Sequence, residues 1–277
     1  MKLILIGVRK FWTRTATLVS ILIAVGLLCL EFVGIAISYR AAVSGGTRGE
    51  GMDPSTFSWF LTFPGAFDAI LSIIFSFGGI IGLIYVATMS GTEWSWGTLK
   101  VAVSRGQSRS LYVIATFASI SLILLGGVLV MFVTGLVAAF VGASIAGISA
   151  GNPFDPAVFP GLLAKLLRTW IALSALTSLA YAVTMVAKSQ MAGVGTVIGY
   201  FLVSIIGPAL LPDFVKEIFK YLPFSISSDA IGLSGAPGNA SSGNIIDPTI
   251  ALLITVGWLV GLIAVTCLSV ERTEITG

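Results

Sequence analysis

Apolar residues run along this chain in long unbroken stretches, cut by short polar intervals. One stretch without Asp, Glu, Lys or Arg runs from Thr15 to Leu30, and its apolar pattern continues past Glu31 to Tyr39. Others lie between Asp68 and Glu93, Arg109 and Asp155, Arg168 and Lys188, Lys188 and Asp213, and Asp247 and Glu271. A helix crossing a bilayer needs about 20 mostly apolar residues. The stretches are continuous, without the alternation of a transmembrane barrel strand, so helices are the spanning structure they predict. The expected fold is an all-α integral membrane protein with six spans, over 15–39, 67–91, 110–135, 165–187, 190–211 and 249–270, forming a single transmembrane domain.

The interval after Arg109 allows two readings. Its 45 uncharged residues suit one crossing with a helical extension outside, or two crossings joined near Val133-Thr134-Gly135. Six spans with the N-terminus inside place nine basic residues in the cytoplasm and six outside. Seven spans give eleven and four, which the positive-inside rule favours. The absence of a turn signal near Gly135 favours six, and seven stays open.

The polar intervals carry their own patterns. Residues 1–14 combine Lys2, Arg9, Lys10 and Arg14 with Leu3, Ile4, Val8, Phe11 and Trp12 at helical spacing. Such a segment either lies in the membrane surface as an elbow or serves as a basic flank orienting the first span. The apolar run after it is too long for a signal-peptide core, so a retained first span is expected. Between spans two and three, residues 93–109 carry one acid, two tryptophans and three basic residues. Thr98 to Ser104 is long enough for two helical turns, set off by Gly97 and Gly106. The external loop 212–247 opens with Phe214, Val215, Ile218, Phe219 and Leu222 on one face. Asp213, Lys216, Glu217 and Lys220 fall on the other, which predicts an amphipathic or re-entrant helix before the last span. Ser234 to Asp247 then reads as a flexible linker. Asn239-Ala240-Ser241 matches a glycosylation acceptor that is common by chance.

Composition narrows the function. Of 277 residues, 56% are hydrophobic and only 10% charged, against about 25% charged in soluble domains. Mean hydropathy is +1.04. There is no histidine, which excludes imidazole metal sites and Ser-His-Asp or Cys-His catalysis. Cys29 and Cys267 both lie in apolar runs and cannot build a disulfide framework. A net charge of +3 is no nucleic-acid signature. Glu31 is the one acid well inside a span. Burying it at mid-bilayer costs roughly 2.5–3.5 kcal/mol, so it is expected to face protein or a wet cavity, as a substrate-pathway contact or a helix–helix hydrogen bond. Gly78 and Gly82, Gly195 and Gly199, and Gly257 and Gly261 have the spacing that lets helices approach closely. Any of these pairs can serve internal packing, and one is a candidate dimer seam.

The order of parts resembles the membrane subunit of ABC transporters of the type-two exporter class, which includes drug, bacteriocin and polysaccharide permeases. The residues that carry the resemblance are Glu93, Trp96, Gly97, Thr98, Leu99 and Lys100, then Arg105, Gly106 and Arg109, with Pro223-Phe224-Ser225 before the last span. It implies that two such subunits form a pathway in the cell membrane, with the N-terminus cytoplasmic. Each would dock a separate ATPase subunit through a coupling helix. Glu93, Trp94, Trp96, Gly97, Thr98, Lys100, Arg105, Gly106 and Arg109 are the implied coupling residues.

ATP and magnesium would sit in that partner, and no cofactor is expected on this chain. A P-loop needs Gly-Lys followed by Ser or Thr, and no lysine here follows a glycine. The chain is therefore expected to be non-enzymatic. Glu93→Ala or Arg105→Glu is expected to uncouple transport and leave membrane insertion intact. A secondary transporter or channel, or an accessory or immunity protein without ATP coupling, remains an alternative.

Overall fold

Residues with no water to bond must satisfy their backbone within the segment, and the described long apolar segments do so with helices. The computed structural model describes residues 2–44, 54–154, 159–210, 220–233 and 246–272. In order these form α1 (Lys2–Trp12), α2 (Thr15–Val43), α3 (Pro54–Leu61), α4 (Gly65–Ser95) and α5 (Thr98–Ser104). Then follow α6 (Arg109–Ala146), α7 (Phe159–Ala187), α8 (Gln190–Leu210), α9 (Pro223–Ile231) and α10 (Pro248–Arg272). Among the described residues, α2, α4, α6, α7 and α10 are long and apolar enough to cross a membrane. Within α8 a shorter apolar stretch, Gln190–Val203, is described in full.

The central helix is α4, which packs on α2, α6, α7 and α8. Small residues set how closely. A methyl on Gly79 would lie 3.1 Å from Leu176, and one on Gly82 would lie 3.2 Å from Thr177. Gly79 and Gly82 are thus where α4 closes on α7, whereas a methyl on Gly78 would have no neighbour nearer than 3.9 Å. Among the described residues, a built Cβ at Gly195, Gly199, Gly257 or Gly261 meets no atom of another element within 4 Å. On α2 the buried residues Ala24, Leu28, Phe32 and Ala36 recur every fourth position and give a single inward stripe. Their partners include Ile70, Ile74 and Leu173 in one apolar core. Some interior hydroxyls bridge helices. Ser121 and Ser174 lie 2.7 Å apart across α6 and α7, and Tyr181 donates to the Val113 carbonyl at 2.9 Å.

The long uncharged interval after Arg109 is one helix, with no turn at Val133-Thr134-Gly135. At 1.5 Å per residue its 38 residues extend about 57 Å, well beyond a hydrocarbon core of about 30 Å. It stops where Gly147 takes φ +76°, which lets the amides of Gly147 and Ile148 bond back to Ser144 and Ala143 at 3.1 and 3.0 Å.

The contacts sort the helix ends into two groups. At one end Arg14 meets Thr92, Lys188 meets Trp94, and Arg109 meets Glu271. At the other, Lys165 pairs with Asp68 at 2.5 Å, and the Phe63 amide bonds to the Ala150 carbonyl at 2.8 Å. The C-terminal end of α10 lies beside the start of α6, in the first group. One helix after Arg109, rather than two, is what permits this.

Several expectations need correction. Helices α2, α4 and α7 extend past the predicted spans, and α6 runs on to Ala146 as the expected helical extension of the third span. The short helices α3 and α9 lie in intervals read as loop. Residues 213–219 of the expected amphipathic helix, and 234–245 of the linker with Asn239, lie outside the described residues, and Lys220 to Leu222 form a turn leading into α9. Glu31 is exposed on the outer side of α2, away from the stripe carrying Leu28 and Phe32. It does not join the buried stripe, and any protein or wet cavity it faces is not an interior contact of the described residues.

Candidate functional site

The interval with the richest chemistry folds into a clasp around one carboxylate. Glu93 lies in the last turn of α4 and is 1% exposed. Burying a lone carboxylate is costly, so it needs fixed donors. Four helices supply or surround them. Lys10 Nζ of α1 donates to Oε1 at 2.6 Å. Thr98 Oγ1, at the start of α5, donates to Oε2 at 2.5 Å and lies 3.0 Å from the Glu93 carbonyl. The Tyr112 hydroxyl of α6 donates to the same Oε2 and lies 3.3 Å from Thr98 Oγ1.

Arg14, between α1 and α2, adds a second cation. Its Nη2 is 3.9 Å from Glu93 Oε1. Its Nη1 donates to Thr92 Oγ1 at 2.7 Å and approaches Met89 Sδ at 3.5 Å. The guanidinium lies over Trp96, 4.6 Å from the ring centre, and over Phe11 at 5.5 Å.

Local chemistry explains the tight turn between α4 and α5. Gly97 takes φ +65°, a left-handed conformation that lets the chain reverse within one residue. Helix α5 then covers Thr98–Ser104, the range the sequence suggests. Leu99 and Ala102 face inward, into a cluster with Phe11, Tyr85, Met89, Val113 and Phe117 for Leu99. Lys100, Val101, Ser104 and Arg105 face outward. Gly106, at φ +82°, ends the element. Trp96 is 65% exposed at its edge, so the outer face is basic and aromatic.

Two neighbours complete this end. Arg109 Nη1 donates to the carbonyls of Glu271 and Val270 at 3.1 and 3.4 Å, capping the final turn of α10. The Glu271 carboxylate accepts from Ser110 Oγ. On the far side, Lys188 Nζ stands 5.5 Å over the Trp94 ring, and a methyl on Gly91 would come within 2.5 Å of Gln190 Cβ. The α7–α8 turn is therefore packed directly on the end of α4.

The proposed coupling residues thus divide into two sets. Glu93, Thr98 and Arg109 are engaged within the chain, and Glu93 is too buried to touch a partner. Trp96, Lys100, Arg105 and Gly106 lie on the surface, while Trp94 is half-buried under Lys188. Sequence reasoning did not name Lys10, Arg14, Tyr112 or Lys188 as site residues. Lys10 and Arg14 stood out only as basic positions in an amphipathic flank. Tyr112 has no local signal, because only the crossing of α4 and α6 brings it to Glu93. A carboxylate held by three donors is a structural pin rather than a reactive base.

The fold defines an all-helical, multi-pass membrane protein. Residues 51–276 match the sequence model of a family described as "Protein of unknown function (DUF2705)", and the chain belongs to that family. No curated protein matches it.

Proposed function

We propose that this chain is the permease subunit of an ATP-driven exporter of the ABC type, forming its pathway with a second copy or a homologous permease. A separate ATPase subunit docks on the outer face of residues 93–109. Six crossings, by α2, α4, α6, α7, α8 and α10, carry the chain, with the basic end bearing Arg9, Lys10, Arg14, Lys100, Arg105, Arg109 and Lys188 in the cytoplasm of the cell membrane. The observation that supports this most is the mounting of α5. Its inner face is locked through Glu93 to α1, α4 and α6, while its outer face offers Trp96, Lys100 and Arg105. A push on so stiff an element moves several helices together. Glu93 acts here as a positioning residue, and the outer side chains make the contact.

Glu31 fits the same reading. A carboxylate on the outward flank of α2 is better accommodated against a second subunit or a wet pathway than against lipid.

The test is purification of the tagged chain from its own membranes in mild detergent, with Mg-ATP hydrolysis measured on the eluate. A stoichiometric ATPase is expected, lost with Arg105→Glu and with Trp96→Ala. A chain that purifies alone and moves solute on an ion gradient refutes the proposal and favours a secondary transporter. One that purifies alone without transport favours an accessory role.

A further inference from the structure

A narrow slot of about 60 Å³ opens between α2, α4 and α6. It follows the helix axes from Thr17 to Ala24 on α2 and from Tyr85 to Ile74 on α4, about 10 and 16 Å at 1.5 Å per residue. Its chemistry is graded. Thr17, Ser20 and Tyr85 line the end nearest α1. Beyond them the walls are apolar, ending at Ile74, Met131 and Leu173. The Thr17 hydroxyl is engaged with the Phe11 carbonyl at 2.6 Å and with the Tyr85 hydroxyl at 3.1 Å.

Water is a poor occupant of the inner part. An ordered water needs two to four polar partners, and the apolar walls offer none. An alkyl chain asks for nothing but contact. Gly78 and Gly127 keep the slot open from two helices. A methyl on Gly78 would sit 3.9 Å from Ile74 and Met131, and one on Gly127 would meet nothing within 4 Å.

The polar end is also the cationic end. Arg14 lies one turn below Thr17, and its Nη1 reaches Met89, one turn beyond Tyr85 on α4. Its buried Nη2 meets no hydrogen-bond acceptor among the described residues. Lys10 stands beside it with its side chain 33% exposed. Around Glu93 these two cations face one acid, which leaves a net positive charge. A group that places an apolar tail in the slot therefore finds complementary charge for an anionic head about one helical turn beyond the polar end.

We infer that the slot between α2, α4 and α6 holds one acyl chain of an anionic membrane phospholipid, whose phosphate lies against Arg14 and Lys10. The lipid wedges the first span against α4 and α6 directly beneath the clasp. This holds whether or not an ATPase docks on α5, so it goes beyond the proposed transport role.

The full chain, purified from membranes in mild detergent, tests it by native mass spectrometry after exposure to vesicles of phosphatidylglycerol or phosphatidylcholine. Wild type is expected to retain one phosphatidylglycerol per chain in preference to phosphatidylcholine. Gly78→Leu and Gly127→Leu fill the slot from two different helices and should each lower retention by about tenfold, the effect of losing about 1.4 kcal/mol. Arg14→Gln should abolish the preference for the anionic head. Gly257→Leu, where a built Cβ meets no described neighbour within 4 Å, should change neither, and helicity by circular dichroism checks that each variant is folded. Gly78→Ala, whose methyl fits, keeps the comparison informative if a leucine variant unfolds, and should give a smaller loss. Full retention in folded slot variants, or equal binding of phosphatidylcholine by wild type, overturns the assignment.

Discussion

Lys10 and Glu93 are 83 residues apart in the chain and 2.6 Å apart in the structure. That contact fastens the surface helix α1 to the end of the central helix α4. It also stands at the foot of α5, so the geometry of three elements depends on one buried carboxylate.

Removing that carboxylate should cost more than removing its cation. Breaking a buried ion pair by truncating one partner costs about 3–5 kcal/mol when the other charge is left buried. Glu93→Ala strands Lys10, Arg14, Thr98 and Tyr112 together and should fall near the lower figure, because Lys10 can rehydrate. Lys10→Ala should cost less, since Thr98 and Tyr112 still bind the acid. Thermal unfolding of both single variants and the double variant in detergent would give the coupling, expected at about 1–3 kcal/mol. Additive effects would contradict the clasp.

The docking of α1 on α6 is set by a glycine. A methyl on Gly7 would lie 2.3 Å from Ser119 Oγ and 2.8 Å from its Cβ. Gly7→Ala is expected to lose about 1–3 kcal/mol through overpacking, and Ser119→Gly should recover most of it. By contrast Gly195→Ala and Gly257→Ala, with no neighbour within 4 Å, should be neutral or slightly stabilising in the isolated chain. Unfolding temperatures of the four variants separate these outcomes.

The two groups of helix ends make a topological forecast. Cysteines placed at Lys100, Lys188 and Arg272 should react with an impermeant thiol reagent from one side of the membrane, and one at Lys165 from the other. Cys29 and Cys267 are first replaced by alanine. Labelling of positions 188 and 272 from opposite sides would show that α8 does not cross.

The start of α10 has a pH signature. The amide of Thr249 donates to Asp247 Oδ1 at 2.8 Å, with that of Ile250 at 3.4 Å, and these bonds hold the carboxyl below its usual range. A depressed carboxylate stabilises the fold above its unfolded pKa, and the contribution fades as pH falls through the folded value. Asp247→Ala should therefore destabilise at neutral pH, by an amount that shrinks in acid. Asp247→Asn, which can still cap, should show little change. A difference from wild type that persists unchanged in strong acid would exclude this account.

Much of the architecture is written locally. Continuous apolar runs dictate helices wherever water is absent, because backbone groups then have no other partner. The places of the five long apolar helices, the helix over Thr98–Ser104 and its bounding glycines follow from residues within a few positions of one another. Paired charges from distant segments do not follow in this way. Nothing near Tyr112 marks it as a ligand of Glu93, and nothing near Arg109 marks it as a cap for α10. Glu31 illustrates the limit: its cost in a span was readable, but which flank of α2 it occupies depended on where Leu28 and Phe32 found their neighbours. The alphabet of elements came from short-range chemistry. Which acid meets which cation, which glycine seam closes within the chain, and where a slot remains between helices were decided only by packing, since those distances exist only once the helices cross.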